Sequence, residues 1–214
     1  MPTMREPTAH PVRTPRQHER AVRACEACEL HVTRTEPAIG DGPDDARLLV
    51  VATVPRRHED LQGRALSGGV RNVLHEAIGL AGLDPAEVRV TSVVRCRPPD
   101  DRAPRAEEVE ACSTHLDAEL AMVAPEVIVS LGGLAAAVVL GRPVPLERVA
   151  GYRLQARGVT LVPTYHPIDV VRGNPEAARG IRRDLQVAKA VLDGRMGTGA
   201  QAREELASRL ASQG

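Results

Sequence analysis

The chain holds four cysteines, Cys25, Cys28, Cys96 and Cys112, and their spacing constrains the fold more than any other feature. Cys25 and Cys28 form a C-x2-C pair, a turn on which two sulfurs meet one metal centre without strain. Cys96 and Cys112 stand far downstream, so a shared site requires folding to bring remote segments together. Four thiolates suit a structural zinc or a [4Fe-4S] cluster. The competing accounts are two disulfides or inert buried thiols. Disulfides belong to oxidising compartments, and residues 1–20, full of Pro, Arg and His, contain no apolar signal-peptide core.

A chain of 214 residues accommodates one substantial α/β domain with tails rather than two large cores. The 28 basic side chains match the 28 acidic ones, so no global basic field announces nucleic acid, although a local stripe of cations suffices to bind it. Lys189 is the only lysine, and arginine is the better bidentate phosphate ligand. Phe and Trp are absent, leaving Tyr152 and Tyr165 as the only aromatic rings available to stack on a base. No apolar run reaches membrane-spanning length.

Residues 1–18 read as a disordered N-terminal arm, 19–194 as the folded domain and 195–214 as a C-terminal helix or tail. A short helix over 20–30 is expected to carry the close cysteine pair. Residues 47–54 are a near-continuous apolar run, as in a strand buried on both faces of a parallel sheet. Further strands are expected at 88–94, 126–131 and 160–163, the last closing a hairpin-like pair over 152–163. Helices are expected at 68–81, 105–123, 134–140 and 174–192. This alternation predicts an α/β fold: a single three-layer domain whose central, mostly parallel four-stranded sheet is flanked by helices. Ligands bind beyond the carboxyl ends of such strands, so the segments following them carry the interest.

In chain order, the C-x2-C pair, an apolar strand, Pro55-x3-Glu59-Asp60-x2-Gly63-Arg64, Val90-Thr91-x-Val93-Val94-Arg95-Cys96-Arg97-Pro98-Pro99, Ala111-Cys112 and Pro163-Thr164-Tyr165-His166-Pro167 form a set. It resembles the iron–sulfur (family 4) branch of the uracil-DNA glycosylase superfamily over residues 24–192. The resemblance implies a [4Fe-4S] cluster on Cys25, Cys28, Cys96 and Cys112, stapling the domain. It implies a DNA glycosylase that hydrolyses the N-glycosidic bond of uracil, or of another deaminated or damaged base, in base excision repair. The base leaves as an anion from a flipped nucleotide, and His166 falls where the family places a donor facing it. Pro167 and Ile168 match the loop that enters the duplex; Arg172, Arg179, Arg182 and Arg183 are candidates to hold phosphates, single arginines on a helix otherwise forming a solvated face, and Arg64 is also expected at the DNA. The implied partner is DNA, single- or double-stranded, met by a monomer in the bacterial cytoplasm at the nucleoid, with no membrane involved.

The sequence departs from the family's pattern in the base pocket. The first motif reads Ala52-Thr53-Val54-Pro55-Arg56, so its acid is Thr53, Val54 belongs to the altered stretch and Arg56 stands in place of a glycine. The stacking aromatic falls at Leu66, and the base-reading asparagine at Ser92, whose single hydroxyl cannot supply the paired donor and acceptor of an amide. Glu59 is the one carboxylate left near the first motif, with either a catalytic role or a turn-capping one. Two other readings follow from these departures: a catalytically silent iron–sulfur relative that binds DNA or a base, and a glycosylase redirected to a non-DNA N-glycoside.

Overall fold

The computed structural model describes residues 14–199 and 201–202. Along the chain it forms α1 (Pro15–Arg23), α2 (Leu30–Thr33), β1 (Leu48–Ala52), α3 (Arg57–Gln62), α4 (Gly68–Leu80), β2 (Val88–Ser92), α5 (Ala106–Val123) and β3 (Val127–Leu131). It continues with α6 (Gly133–Leu140), α7 (Leu146–Val149), β4 (Leu154–Ala156), β5 (Val159–Thr164), α8 (Pro167–Val171) and α9 (Pro175–Leu192). Helix α1 opens inside the segment expected to be an arm. Thr14 accepts from the Gln17 N–H while the Gln17 side chain accepts from the Thr14 N–H, and Pro15 takes the first helical position. The rest of that arm, residues 1–13, and most of the expected C-terminal segment, residues 203–214, lie outside the described residues.

The strands order as β2-β1-β3-β5-β4. The first four are parallel, and β4 runs antiparallel to β5. The sheet therefore has five strands rather than the expected four. The extra edge strand comes from a two-residue hairpin turn at Arg157 (φ 51°) and Gly158 (φ 81°), both left-handed, which folds Leu154–Ala156 back on β5.

Side chains alternate across the sheet. Leu48, Val50 and Ala52 of β1 join the core under α4 and α9, while Leu49 and Val51 join the core that includes Leu116 of α5 and Ala135 of α6. Helices thus cover both faces, which is why the parallel strands read as unbroken apolar runs. Ile128 at the sheet centre is fully buried; its truncation to Ala should cost about 2–5 kcal/mol. Among the described residues no helix is long and apolar enough to cross a membrane.

Candidate active site and cysteine pocket

After β1 the chain turns outward to β2, then crosses back to β3 on the other side. The β1/β3 boundary is therefore the topological switch point, where the crevice beyond the carboxyl ends opens. The Thr53 hydroxyl spans this boundary by donating to the Leu131 carbonyl at 3.4 Å. Gly132 (φ 86°) turns β3 into α6 and lies against His166: a Cβ built on Gly132 would sit 3.7 Å from the His166 Cβ.

His166 caps α8. Its Nδ1 accepts from the Ile168 N–H at 3.1 Å, so a neutral ring carries its proton on Nε2. Burial pushes the imidazole pKa down to about 4; the charges of Asp169 and Glu59 oppose the shift, and those of Arg56 and Arg172 add to it. At neutral pH His166 is thus an uncharged N–H donor at the carboxyl edge of the sheet. Such a donor is suited to negative charge developing on a leaving group.

Around it the expected pocket residues divide. Thr53 is partly exposed at the crevice. Glu59 is buried on α3, where Oε1 accepts from the Ser67 N–H at 2.8 Å and the Ser67 hydroxyl at 2.6 Å, and Oε2 from the Arg56 N–H at 3.2 Å. Its carboxylate caps α3 and pins the start of α4. Leu66 is only 3 % exposed and packs within the core under α4. Ser92 is fully enclosed, and its hydroxyl donates to the Val94 carbonyl at 2.9 Å. Val54 lies partly buried against the opposite core. Pro167 and Ile168 form the first turn of α8, Pro167 buried and Ile168 partly exposed. Arg172 ends that helix, exposed. Arg64 points outward but pairs with Asp41 at 3.1 Å, which also holds Arg71 at 2.6 Å.

The close cysteine pair does not ride on a helix as expected. Cys25 and Cys28 sit in the turn between α1 and α2. The Arg34 guanidinium breaks the helix here by taking the carbonyls of Arg23 (2.8 Å) and Cys25 (2.9 Å). The same guanidinium donates to Cys96 Sγ at 3.2 Å, and the Arg95 N–H donates to Cys112 Sγ at 3.3 Å. All four thiols are free and line one pocket. Burial pushes the Cys96 thiol up and the Cys112 thiol up to about 11. Among the described residues no group of three His, Cys, Asp or Glu side chains converges tightly enough to hold a single metal ion. The donor chemistry fits a thiolate-held group, since the N–H bonds to sulfur favour the anionic ligand form.

Sequence reasoning missed what lies behind this pocket. Glu119, fully buried, accepts from Arg89 (2.6 Å), Arg95 (2.6 Å) and the Thr91 hydroxyl (2.6 Å), and the two guanidinium groups help hold its carboxyl down to about 2 against burial. Only a charged residue at an otherwise apolar strand position, Arg89 within β2, hints at it.

The model of the uracil DNA glycosylase superfamily matches residues 39–186. The type-4 uracil-DNA glycosylase of Thermotoga maritima is 34 % identical over 174 residues, covering 80 % of this chain and 91 % of the relative. That of Archaeoglobus fulgidus is 35 % identical over 160 residues, covering 71 % and 80 %. That of Pyrobaculum aerophilum is 33 % identical over 172 residues, covering 77 % and 87 %. A neutral histidine donor at the switch point, a four-thiol pocket and this breadth of similarity agree: the chain belongs to the uracil DNA glycosylase superfamily.

Proposed function

We propose that the protein is a DNA glycosylase that hydrolyses the N-glycosidic bond of uracil in DNA. The observation that carries this reading is the neutral Nε2–H of His166, held at the switch point by the Nδ1 bond to Ile168. As the bond from sugar to base breaks, its electron pair goes to the base and positive charge develops on the sugar. The His166 Nε2–H stabilises the base anion, a contact that strengthens only as charge develops. Water adds to the sugar carbon and loses a proton to solvent, and the base leaves after taking up a proton; an abasic site remains. Thr53, whose hydroxyl lies over the crevice, orients that water. Glu59, occupied by Ser67 and the Arg56 N–H, contributes charge through space rather than by direct contact. Pro167 and Ile168 enter the duplex, and Arg172 holds phosphate beside them.

Cys25, Cys28, Cys96 and Cys112 would hold a [4Fe-4S] cluster, which when bound supplies a cross-link between the chain's first segment, the loop after β2 and α5. Four thiols that share one pocket without closing on a single point suit a multi-iron group better than a tetrahedral zinc with bonds near ~2.3 Å. Free thiols in a four-cysteine chain also suit a reducing compartment, so we place the protein as a monomer in the cytoplasm, working on nucleoid DNA. Residues 19–194 would form the glycosylase unit, with the two terminal segments outside it.

The test is release of free base from oligonucleotides carrying uracil, hypoxanthine, xanthine or an alkylated base, single- and double-stranded. Uracil release is expected, abolished or much reduced in His166→Ala. DNA binding with no base released would establish the silent-relative reading instead. Release from free nucleosides but not from DNA would establish the redirected one.

A further inference from the structure

The segment that carries His166 is held from beneath by α9, and the contact that holds it belongs to a buried carboxylate with no part in the reaction described above. Asp184 is fully buried. Its Oδ2 accepts from the Thr164 hydroxyl at 2.7 Å, and its Oδ1 accepts from Arg183 Nε at 2.8 Å. Thr164 ends β5, two residues before His166, and its carbonyl accepts from the Gly132 N–H at 2.8 Å. The preceding residue is fixed as well, because the Pro163 carbonyl accepts from the Gly151 N–H at 2.9 Å. Gly151 (φ 79°) closes over the carboxylate so tightly that a Cβ there would come within 2.6 Å of Asp184 Oδ1.

One turn earlier on α9, on the same face, Gly180 makes room for the ring of Tyr165: a Cβ at Gly180 would lie 2.6 Å from Tyr165 Cδ2. Residues 163, 164 and 165 are thus each tied down, and the Ile168 N–H fixes the ring from the other side. Burying a carboxylate is costly, and an apolar side chain of similar volume would pack α9 against β5 at least as well. What an apolar residue would not do is fix the direction of the Thr164 hydroxyl, and with it the strand end from which His166 projects.

We propose that Asp184, acting through Thr164, is the positioning residue that aims the Nε2–H of His166 at the leaving base. This rests on the glycosylase reading for its rate effects but not for its structural ones. Thr164→Val deletes the bond while keeping shape. Asp184→Asn keeps one acceptor oxygen where two are needed, and serves should Thr164→Val fold poorly. Thr164→Ser retains the hydroxyl and should restore wild-type behaviour. Single-turnover excision should fall roughly 10- to 100-fold in Thr164→Val and Asp184→Asn, the scale of a misplacement near 1 Å. Affinity for an abasic-site duplex should hold. Adding Thr164→Val to His166→Ala should slow excision no further, because the two changes remove one function; losses that multiply would overturn the proposal. Nuclear magnetic resonance of the imidazole nitrogens gives a readout independent of activity. The wild-type ring should show one neutral Nε2–H tautomer near neutral pH, and both variants a mixture. If the imidazole signals of both folded variants match wild type, Asp184 does not position His166, whether or not any base is excised. If wild type excises nothing while those signals change, the glycosylase reading fails and the positioning role stands.

Discussion

The cysteine pocket and the base crevice sit on one scaffold and are built in opposite ways. Around the thiols the structure is tied by a dense set of polar bonds: Arg34 bridges two carbonyls and a sulfur, and Glu119 binds two arginines and a threonine. At the crevice the side chains expected to meet a base are engaged within the protein itself. Ser92 bonds its own backbone, Leu66 fills the core and Glu59 caps a helix. His166 differs from these three: its Nδ1 is taken by the Ile168 N–H, which leaves Nε2 as the donor atom of the ring. The first region is specified by bonds between remote segments, and substitutions there should be costly; the second has its side chains satisfied locally, and substitutions there should be milder.

The contrast is broken most severely at the thiols. Cys96→Ala or Cys112→Ala should lose iron and folded protein together, because the proposed cluster would tie each of them to the first segment. Iron and sulfide content, visible absorption and circular dichroism measure this. Stoichiometric zinc and no visible absorption in protein prepared without oxygen would replace the cluster with a zinc site.

Next comes His166→Ala, which should slow excision by roughly two to four orders of magnitude while leaving abasic-duplex affinity nearly unchanged. Equal cleavage by wild type and variant would remove His166 from the chemistry.

Acid should separate the regions by pH. His166 is held neutral down to about 4 in the fold, whereas an unfolded chain protonates it near 6.5. The unfolded state therefore binds more protons over that window, and the crevice loses stability as pH falls from about 6.5 to 4. Glu119 has a folded value of about 2 against 4.5 unfolded, so its contribution is complete above 4.5 and lost as pH falls through about 2. Amide exchange should therefore loosen near α8 before it loosens near α5. Excision at saturating DNA should show no ionisation near 6.5; a clear bend there would contradict the neutral donor.

The smallest effects belong to the altered pocket. Ser92→Asn should raise uracil excision less than about tenfold, since the substitution gives up the bond to Val94 and a larger amide must be fitted into an enclosed position before it reads a base edge. Adding Thr53→Glu should raise it further. Leu66→Phe should cost about 1–3 kcal/mol of stability, because the position is core, and add little stacking unless the ring swings out. A large gain from Leu66→Phe would mean that this segment opens readily when a base binds.

The parallel strands were legible because burial on both faces leaves an apolar run, as in residues 48–52, and the position of His166 was legible because it follows such a strand. Their spacing also made it legible that the four cysteines would meet in one place. What escaped reading depended on partners distant in sequence. Helix-forming residues around Cys25 and Cys28 do not reveal that Arg34 takes the carbonyls of Arg23 and Cys25. The pairing of a three-residue strand, Leu154–Ala156, depends on a left-handed Arg157 that composition does not announce. Nor does the sequence say that the Ser92 hydroxyl turns back to its own chain, or that Asp184 lies beneath Thr164.

The Arg34 bridge also sets a timetable for biosynthesis. Cys25, Cys28 and Arg34 leave the ribosome early, but Cys96 follows only after β2 and Cys112 only with α5. At ordinary elongation rates the close pair waits on the order of ten seconds for its partners. Through that interval two neighbouring thiols stand open to oxidants, with no guanidinium yet anchored on sulfur to hold their turn. The yield of protein with all four thiols intact should therefore follow the redox state of the producing cell at the moment of translation, and rapid elongation should favour it.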